Sequence, residues 1–302
     1  MANEITKTNN NGAIAQSKLG FTDFMTSNAI TQKVNEIIGN PKDGARFVTN
    51  IVAVVNANPV LRECTNQSIL SSALVAHSLN LSLSPALGQA WVVPFNNKQT
   101  GNKEAQFQLS YKSYIQLAIR SGYYKKINVL PIKEGELIKY DPLNEEIEVR
   151  LIENEVDREK APIMGFYAMY EYTNGFRKCL YWSNEKMLAF ADKYSQAFNR
   201  KTMEDIIKGK VSEKDMWKYS SPWYSKYEEM GCKTLIKQLL SKYGILSIEM
   251  QTAIEKDQSV IKEDGTPIYV DNNNDDYIIV EENNDEENKI KEPSKKSLSD
   301  VE

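Results

Sequence analysis

The stretch MGFYAMYEYTNGFRKCLYW at 164–182 constrains the fold more than any other part of this 302-residue chain. Two aromatic-rich runs flank Asn174-Gly175, a pair suited to left-handed backbone, and this predicts a hairpin closed by a tight primed turn. Trp91–Phe95, Ala105–Leu109, Ile127–Ile132, Glu146–Ile152 and Ile163–Tyr172 are likewise short, β-branched or aromatic, and bounded by turn residues. Together they predict an antiparallel sheet.

Helical spacing governs both flanks. Phe47, Ile51, Val54 and Val55 recur at helical intervals and stop at Asn58-Pro59, and Ile69, Ala73, Val75, Ala76 and Leu79 follow in a second helix begun near Thr65-Asn66. Past the hairpin, Ser183 is placed to cap a helix carrying Met187, Leu188, Ala191, Tyr194 and Phe198. Ser221-Pro222 opens and Gly244 closes a further helix of about 22 residues. On that helix Cys232, Leu235, Ile236, Leu239 and Tyr243 share one face, while Lys226, Lys233 and Lys237 fall within about 40° of each other on another. The expected fold is α+β: an antiparallel sheet with a central hairpin packed against helices, with helical N-terminal and C-terminal layers and a disordered acidic C-terminal tail.

Charge divides the chain. Residues 251–302 hold 15 Asp and Glu against 6 Lys, a balance of −9, which leaves the preceding residues at +5 within the total of −4. Low hydrophobicity and high charge predict disordered tails at 1–28 and 251–302 around a core at 29–250. The acidic tail is open to three readings: a docking segment for a host partner, an internal competitor for a basic groove, or a solubilising extension.

Three scattered cysteines without a CxxC pair predict a reduced cytoplasmic protein with neither disulfides nor zinc. No apolar run reaches the roughly 18–20 residues of a membrane span, and the N-terminus lacks the layout of a signal peptide. His77, the single histidine, sits among Val75, Ala76 and Leu79 and is expected to be a packed residue. Triads and histidine metal sites therefore have no sequence basis. Met230-Gly231-Cys232-Lys233-Thr234 lacks the glycine directly before lysine that a phosphate-binding loop needs. The body's carboxylates are scattered through 134–160, a poor scaffold for a two-metal nuclease. The expectation is a protein with no catalytic residue, metal or cofactor.

Against that absence stands QFQLSYKSYIQLAIRSGYYKK at 106–126, which carries Lys112, Arg120, Lys125 and Lys126 with no acid, interleaved with Tyr111, Tyr114, Tyr123 and Tyr124. Lysines neutralise phosphates and release counterions, and aromatic faces support bases at about 1–3 kcal/mol each. Each tyrosine is also a candidate half-buried core residue. With Lys226, Lys233 and Lys237 as a second wall and Trp223 at the entry of their helix, the expected nucleic-acid surface comprises Gln108, Tyr111, Lys112, Arg120, Lys125, Lys126, Trp223, Lys226, Lys233 and Lys237.

Three blocks, LNLSLSPALGQAWVVPF (79–95), FQLSYKSYIQLAIRSG (107–122) and SPWYSKYEEMGCKTLIKQLLSKYG (221–244), together resemble the RecT family of phage and prophage single-strand annealing proteins. The resemblance covers about residues 30–250. It implies a compact α+β core that binds single-stranded DNA and the annealed duplex intermediate without ATP, acts as a ring or filament of copies, and works beside a partner exonuclease and a host single-strand-binding protein. The opening helices and the hairpin around Asn174-Gly175 are candidates for protomer contacts. The alternative is an RNA-binding or structural assembly protein without annealing activity.

Overall fold

The computed structural model describes residues 20–269 apart from 98–99, 196 and 220. Three short-to-long helices open it: α1 (Phe21–Thr26), α2 (Asn28–Ile38) and α3 (Pro41–Ala57). Asn40 caps α3 by accepting from the Asp43 N–H, and Pro41 occupies its first turn, where the missing N–H costs nothing. After the 3-10 turn Pro59–Glu63, helix α4 (Asn66–Ser78) runs to the first sheet. Phe47, Ile51, Val55, Leu61, Ile69, Leu70 and Ala73 close a first core against Val92 and Ala105 of that sheet. His77 is not packed as expected. It is exposed, and its ring meets Phe47 edge-on at 5.6 Å.

The first sheet contains β1 (Ala90–Asn96), β2 (Lys103–Leu109), β8 (Ser259–Ile261) and β9 (Pro267–Ile268), in that order. Helix α5 (Tyr111–Ser121) follows β2 directly and ends where Gly122 turns left-handed at φ 76°. The second sheet is β3 (Tyr124–Lys133), β6 (Ile163–Tyr172) and β7 (Arg177–Ser183), with β6 central. The hairpin β4 (Leu137–Asp141) and β5 (Glu146–Val149) covers its outer face over Ile132, Tyr167, Met169 and Cys179. Helix α6 (Glu155–Lys160) leads back into β6.

The predicted hairpin is β6–β7, but its turn differs in kind. Only Gly175 has positive φ, 88°, and Gly175 N–H donates to Tyr172 O at 3.0 Å while Tyr172 N–H donates to Phe176 O at 2.8 Å. That is a type I turn followed by a left-handed glycine, which adds one residue to the loop and leaves Asn174 in ordinary backbone. Asn174 instead accepts the Phe176 N–H through Oδ1 at 3.0 Å.

Helix α7 (Asn184–Tyr194) is capped by Ser183 as expected, but Phe198 lies beyond its end. After α8 (Arg200–Ile207) and the 3-10 turn Glu213–Lys218, the single helix expected over 222–243 is broken in two, α9 (Pro222–Ser225) and α10 (Tyr227–Tyr243). Lys226 between them leaves helical geometry at φ −138°, ψ 47°. Helix α10 is sandwiched, with α5 on one side and β3 and β6 on the other. Gly231 permits the close approach, since a β-carbon there would overlap the Phe166 ring.

The core reaches further at both ends than the expected 29–250. Phe21, Phe24 and Met25 of α1 are buried, and so are Met250 and Ala253 of α11 (Ile248–Lys256) and Val260 and Ile261 of β8. Both boundaries, at 28 and at 250, therefore cut through packed structure. A six-residue helix with three apolar residues, and a three-residue strand inside an acidic stretch, are too short to leave a periodic signal. The rest of both expected tails lies outside the described residues. Among the described residues no helix is long and apolar enough to cross a membrane.

Candidate nucleic-acid interface

The sequence-predicted residues separate into four places. The first lies where β2 passes into α5. Trp91 of β1 stands opposite Gln108 of β2 in the strand register, and both are half-buried. One residue past the strand's end and the helix cap come Tyr111, half-buried, and Lys112, exposed. Lys226, at the break between α9 and α10, places its Nζ 5.8 Å from the centre of the Trp91 ring and 4.0 Å from Glu229. Burial, together with Cys232 and Glu229 nearby, pushes the Tyr111 phenol up, so the hydroxyl stays protonated and can donate. Gln89 fixes this corner. Its carbonyl accepts Ser110 N–H at 2.9 Å, and its side chain bridges Ser82 N–H and Gln116 at 2.8 Å each.

Two half-exposed aromatic rings, two exposed ammonium groups and a primary amide thus share the N-terminal end of a helix, whose dipole favours negative charge. Phosphates can meet the lysines and the helix end while bases lie on the rings. Trp91 was absent from the sequence-predicted set. It is the one tryptophan in a strand that otherwise holds alanine, valine, proline, phenylalanine and asparagine, and it becomes informative only through the register that sets it beside Gln108.

The second place is the far end of α5. Arg120 donates to Leu79 O at 2.6 Å and to Asn80 O at 3.3 Å, so its guanidinium holds the end of α4. Lys125 and Lys126 both face Glu171, at 2.7 and 3.8 Å. The hydrogen bond from Lys125, then the surrounding cations, hold that carboxyl below its usual range although desolvation works against them. None of these three belongs to the Trp91 corner.

The third place is a core. Trp223 is buried, with its ring 5.9 Å from Phe198 and 6.0 Å from Tyr227, so it anchors α9 and offers no base platform.

The fourth corrects the lysine stripe. Lys233 and Lys237 do not share a solvent face with Lys226. Both are buried, and their Nζ atoms lie 3.0 and 3.2 Å from the two oxygens of Asp257, which is 0% exposed. The same carboxylate accepts Leu109 N–H at 2.8 Å and the Tyr114 hydroxyl at 2.8 Å. Burial pulls the Lys233 ammonium pKa down. For Asp257 burial pushes the other way, but Lys233, Lys237 and the Leu109 N–H outweigh it and hold the acid below its usual range. The helical wheel misled because α10 is covered on two sides, and the acid that neutralises its lysines comes from a segment read as tail.

The three cysteines are buried, and burial raises the thiols of Cys64 and Cys232 to about 11 and 12, which keeps both protonated at neutral pH and removes them as nucleophiles.

Sequence comparison gives the class to which this sheet-and-helix core with its aromatic, basic corner belongs: residues 45–271 match the RecT family, and the chain belongs to it. Membership supports a phage-type recombination and annealing protein. An uncharacterized protein of Bacillus subtilis strain 168, YqaK, is 36% identical over 258 residues, covering 85% of this chain and 79% of its own. Protein RecT of Escherichia coli K12 is 25% identical over 258 residues, covering 84% of this chain and 87% of its own.

Proposed function

We propose that this protein binds single-stranded DNA at the corner formed by Trp91, Gln108, Tyr111, Lys112 and Lys226 and anneals complementary strands without nucleotide hydrolysis, as an oligomer. The carrying observation is the pairing of exposed Lys112 and Lys226 with half-exposed Trp91 and Tyr111 at one helix end. Lysines lower the repulsion between two approaching backbones, rings hold bases apart from their own neighbours, and base pairing itself drives the reaction downhill. Repetition of the corner in successive copies lengthens the binding track and raises affinity by linkage. A partner exonuclease that exposes single strands is the natural supplier of substrate.

Competition for a fluorescent oligonucleotide by single-stranded DNA, duplex DNA and RNA tests this reading. Single-stranded DNA is expected to compete best, and Trp91→Ala is expected to weaken its binding by about 1–3 kcal/mol, the worth of one stacked base. Equal competition by RNA and no effect of Trp91→Ala would instead favour an RNA-binding or assembly protein.

A further inference from the structure

The ladder of β3 and β6 has two unlike ends, about 30 Å apart at roughly 3.3 Å per residue. At the end holding Tyr124 and Tyr172, six large apolar residues, Ile119, Tyr123, Phe176, Tyr243, Ile245 and Ile248, are each 47–80% exposed. The segments that carry them meet at this end. Thr173 N–H donates to Tyr123 O at 3.1 Å, the Tyr124 hydroxyl to Ile245 O at 2.8 Å, and Ile245 N–H to the Tyr172 hydroxyl at 2.7 Å. The Phe176 ring stacks on Tyr172 at 5.8 Å, and α11, which starts at Ile248, packs on α5, which carries Ile119. Exposed Lys125, Lys126 and Lys242 rim the patch and outnumber its acids, Glu171, which Lys125 and Lys126 face, and exposed Glu249; Arg120 turns its guanidinium in to Leu79 O and Asn80 O. At roughly 200 Å² for a fully exposed large side chain, the patch offers some 600 Å², at the upper limit for a monomer's largest apolar patch and most of the ~800 Å² each partner gives to a specific interface.

The opposite end, at Lys133 and Ile163, is apolar and acidic. Leu151, Val156 and Met164 are exposed there, among exposed Glu134, Glu153, Glu155, Asp157 and Glu159. Arg158 takes no part in the outward charge, because its guanidinium turns in to buried Glu136 at 2.6 Å. Arg150 and Lys160 are the exposed bases of this end, so acids dominate.

We propose that the basic apolar end of one copy docks on the acidic apolar end of the next. Such a contact joins unlike patches and repeats into a ring or filament. The surface suits protein better than nucleic acid, since half of its six residues are isoleucines, which stack no base, and its electrostatic complement stands on the same chain. The inference rests on the oligomeric part of the proposed function.

Charge reversal tests it with the full chain. Lys126→Glu with Lys242→Glu turns the basic end acidic, and Glu155→Lys with Glu159→Lys turns the acidic end basic. In sedimentation velocity, with and without a homopolymeric single-stranded oligonucleotide, wild type is expected as a multimer and each variant alone as a single protomer. An equimolar mixture of the two variants should assemble again, because each reversed end then meets its complement. Ile248→Asp, at the most exposed position of the patch, should also give a single protomer, and thermal melts establish that every variant is folded. Assembly of either variant alone, or failure of the mixture, overturns the proposal. So does loss of oligonucleotide binding with unchanged sedimentation, which would give the surface to nucleic acid. A wild type that stays a single protomer overturns this contact and the oligomeric reading together, while anisotropy of the oligonucleotide reports separately on DNA binding.

Discussion

Asp257 shows how one side chain can serve elements far apart in the chain. Its carboxylate joins the end of β2, helix α5 and helix α10 through Leu109, Tyr114, Lys233 and Lys237. Removing one partner of a buried ion pair strands the remaining charge and costs about 3–5 kcal/mol, so Asp257→Ala should lower the urea midpoint by a corresponding amount. The pH dependence follows from the depressed acid. Because the folded form holds Asp257 below its unfolded value, its stabilisation is present above the unfolded value and is lost as pH falls through the folded one. Unfolding free energy measured from neutral pH downward should fall in wild type, and the fall should be shallower in Asp257→Asn. Lys112 is expected to behave oppositely to Lys233: Lys112→Ala should leave the urea midpoint unchanged and reduce the salt slope of DNA binding by about one, the contribution of a single phosphate contact. Sequence alone put Lys112, Lys233 and Lys237 in one class. Burial separates them, and burial depends on which elements cover a helix, something its own periodicity does not carry.

At the scale of elements, most of what packs was legible. The β6–β7 hairpin and the helices α3, α4 and α7 follow from turn chemistry, caps and apolar spacing, all local causes. What escaped were features set by neighbours. The break at Lys226 and the closeness of α10 to β6 are examples, and the second has a measurable basis. A β-carbon at Gly231 would overlap Phe166, so Gly231→Ala, favourable for an isolated helix, should instead destabilise the fold by about 1–3 kcal/mol through overpacking, read as a lower melting temperature. The interface was partly legible for the same reason. Gln108, Tyr111 and Lys112 are chain neighbours and could be seen together, whereas Trp91 joins them only through strand pairing and Lys226 only through the docking of α10 on α5.

For the whole molecule, the C-terminal boundary is decisive. A chain ending at residue 250 lacks Asp257 and β8, leaving Lys233 and Lys237 buried without their carboxylate and Phe107 without its partner strand. It should lose cooperative unfolding, whereas a chain ending at 269 keeps every described element and should melt near the full-length protein. Beyond stability, the arrangement separates two duties. In the proposed reading, the corner built on β1, β2 and the start of α5 takes nucleic acid, and the two ends of the β3–β6 ladder join copies. The most direct measurement of the central claim is annealing of two complementary oligonucleotides, without nucleotide, at low and moderate salt, by wild type and by the combined Trp91→Ala, Lys112→Ala, Lys226→Ala variant. Wild type is expected to anneal rapidly and the folded variant at least tenfold more slowly, with a weaker salt dependence. Annealing by that variant at the wild-type rate and with the wild-type salt slope would contradict the claim.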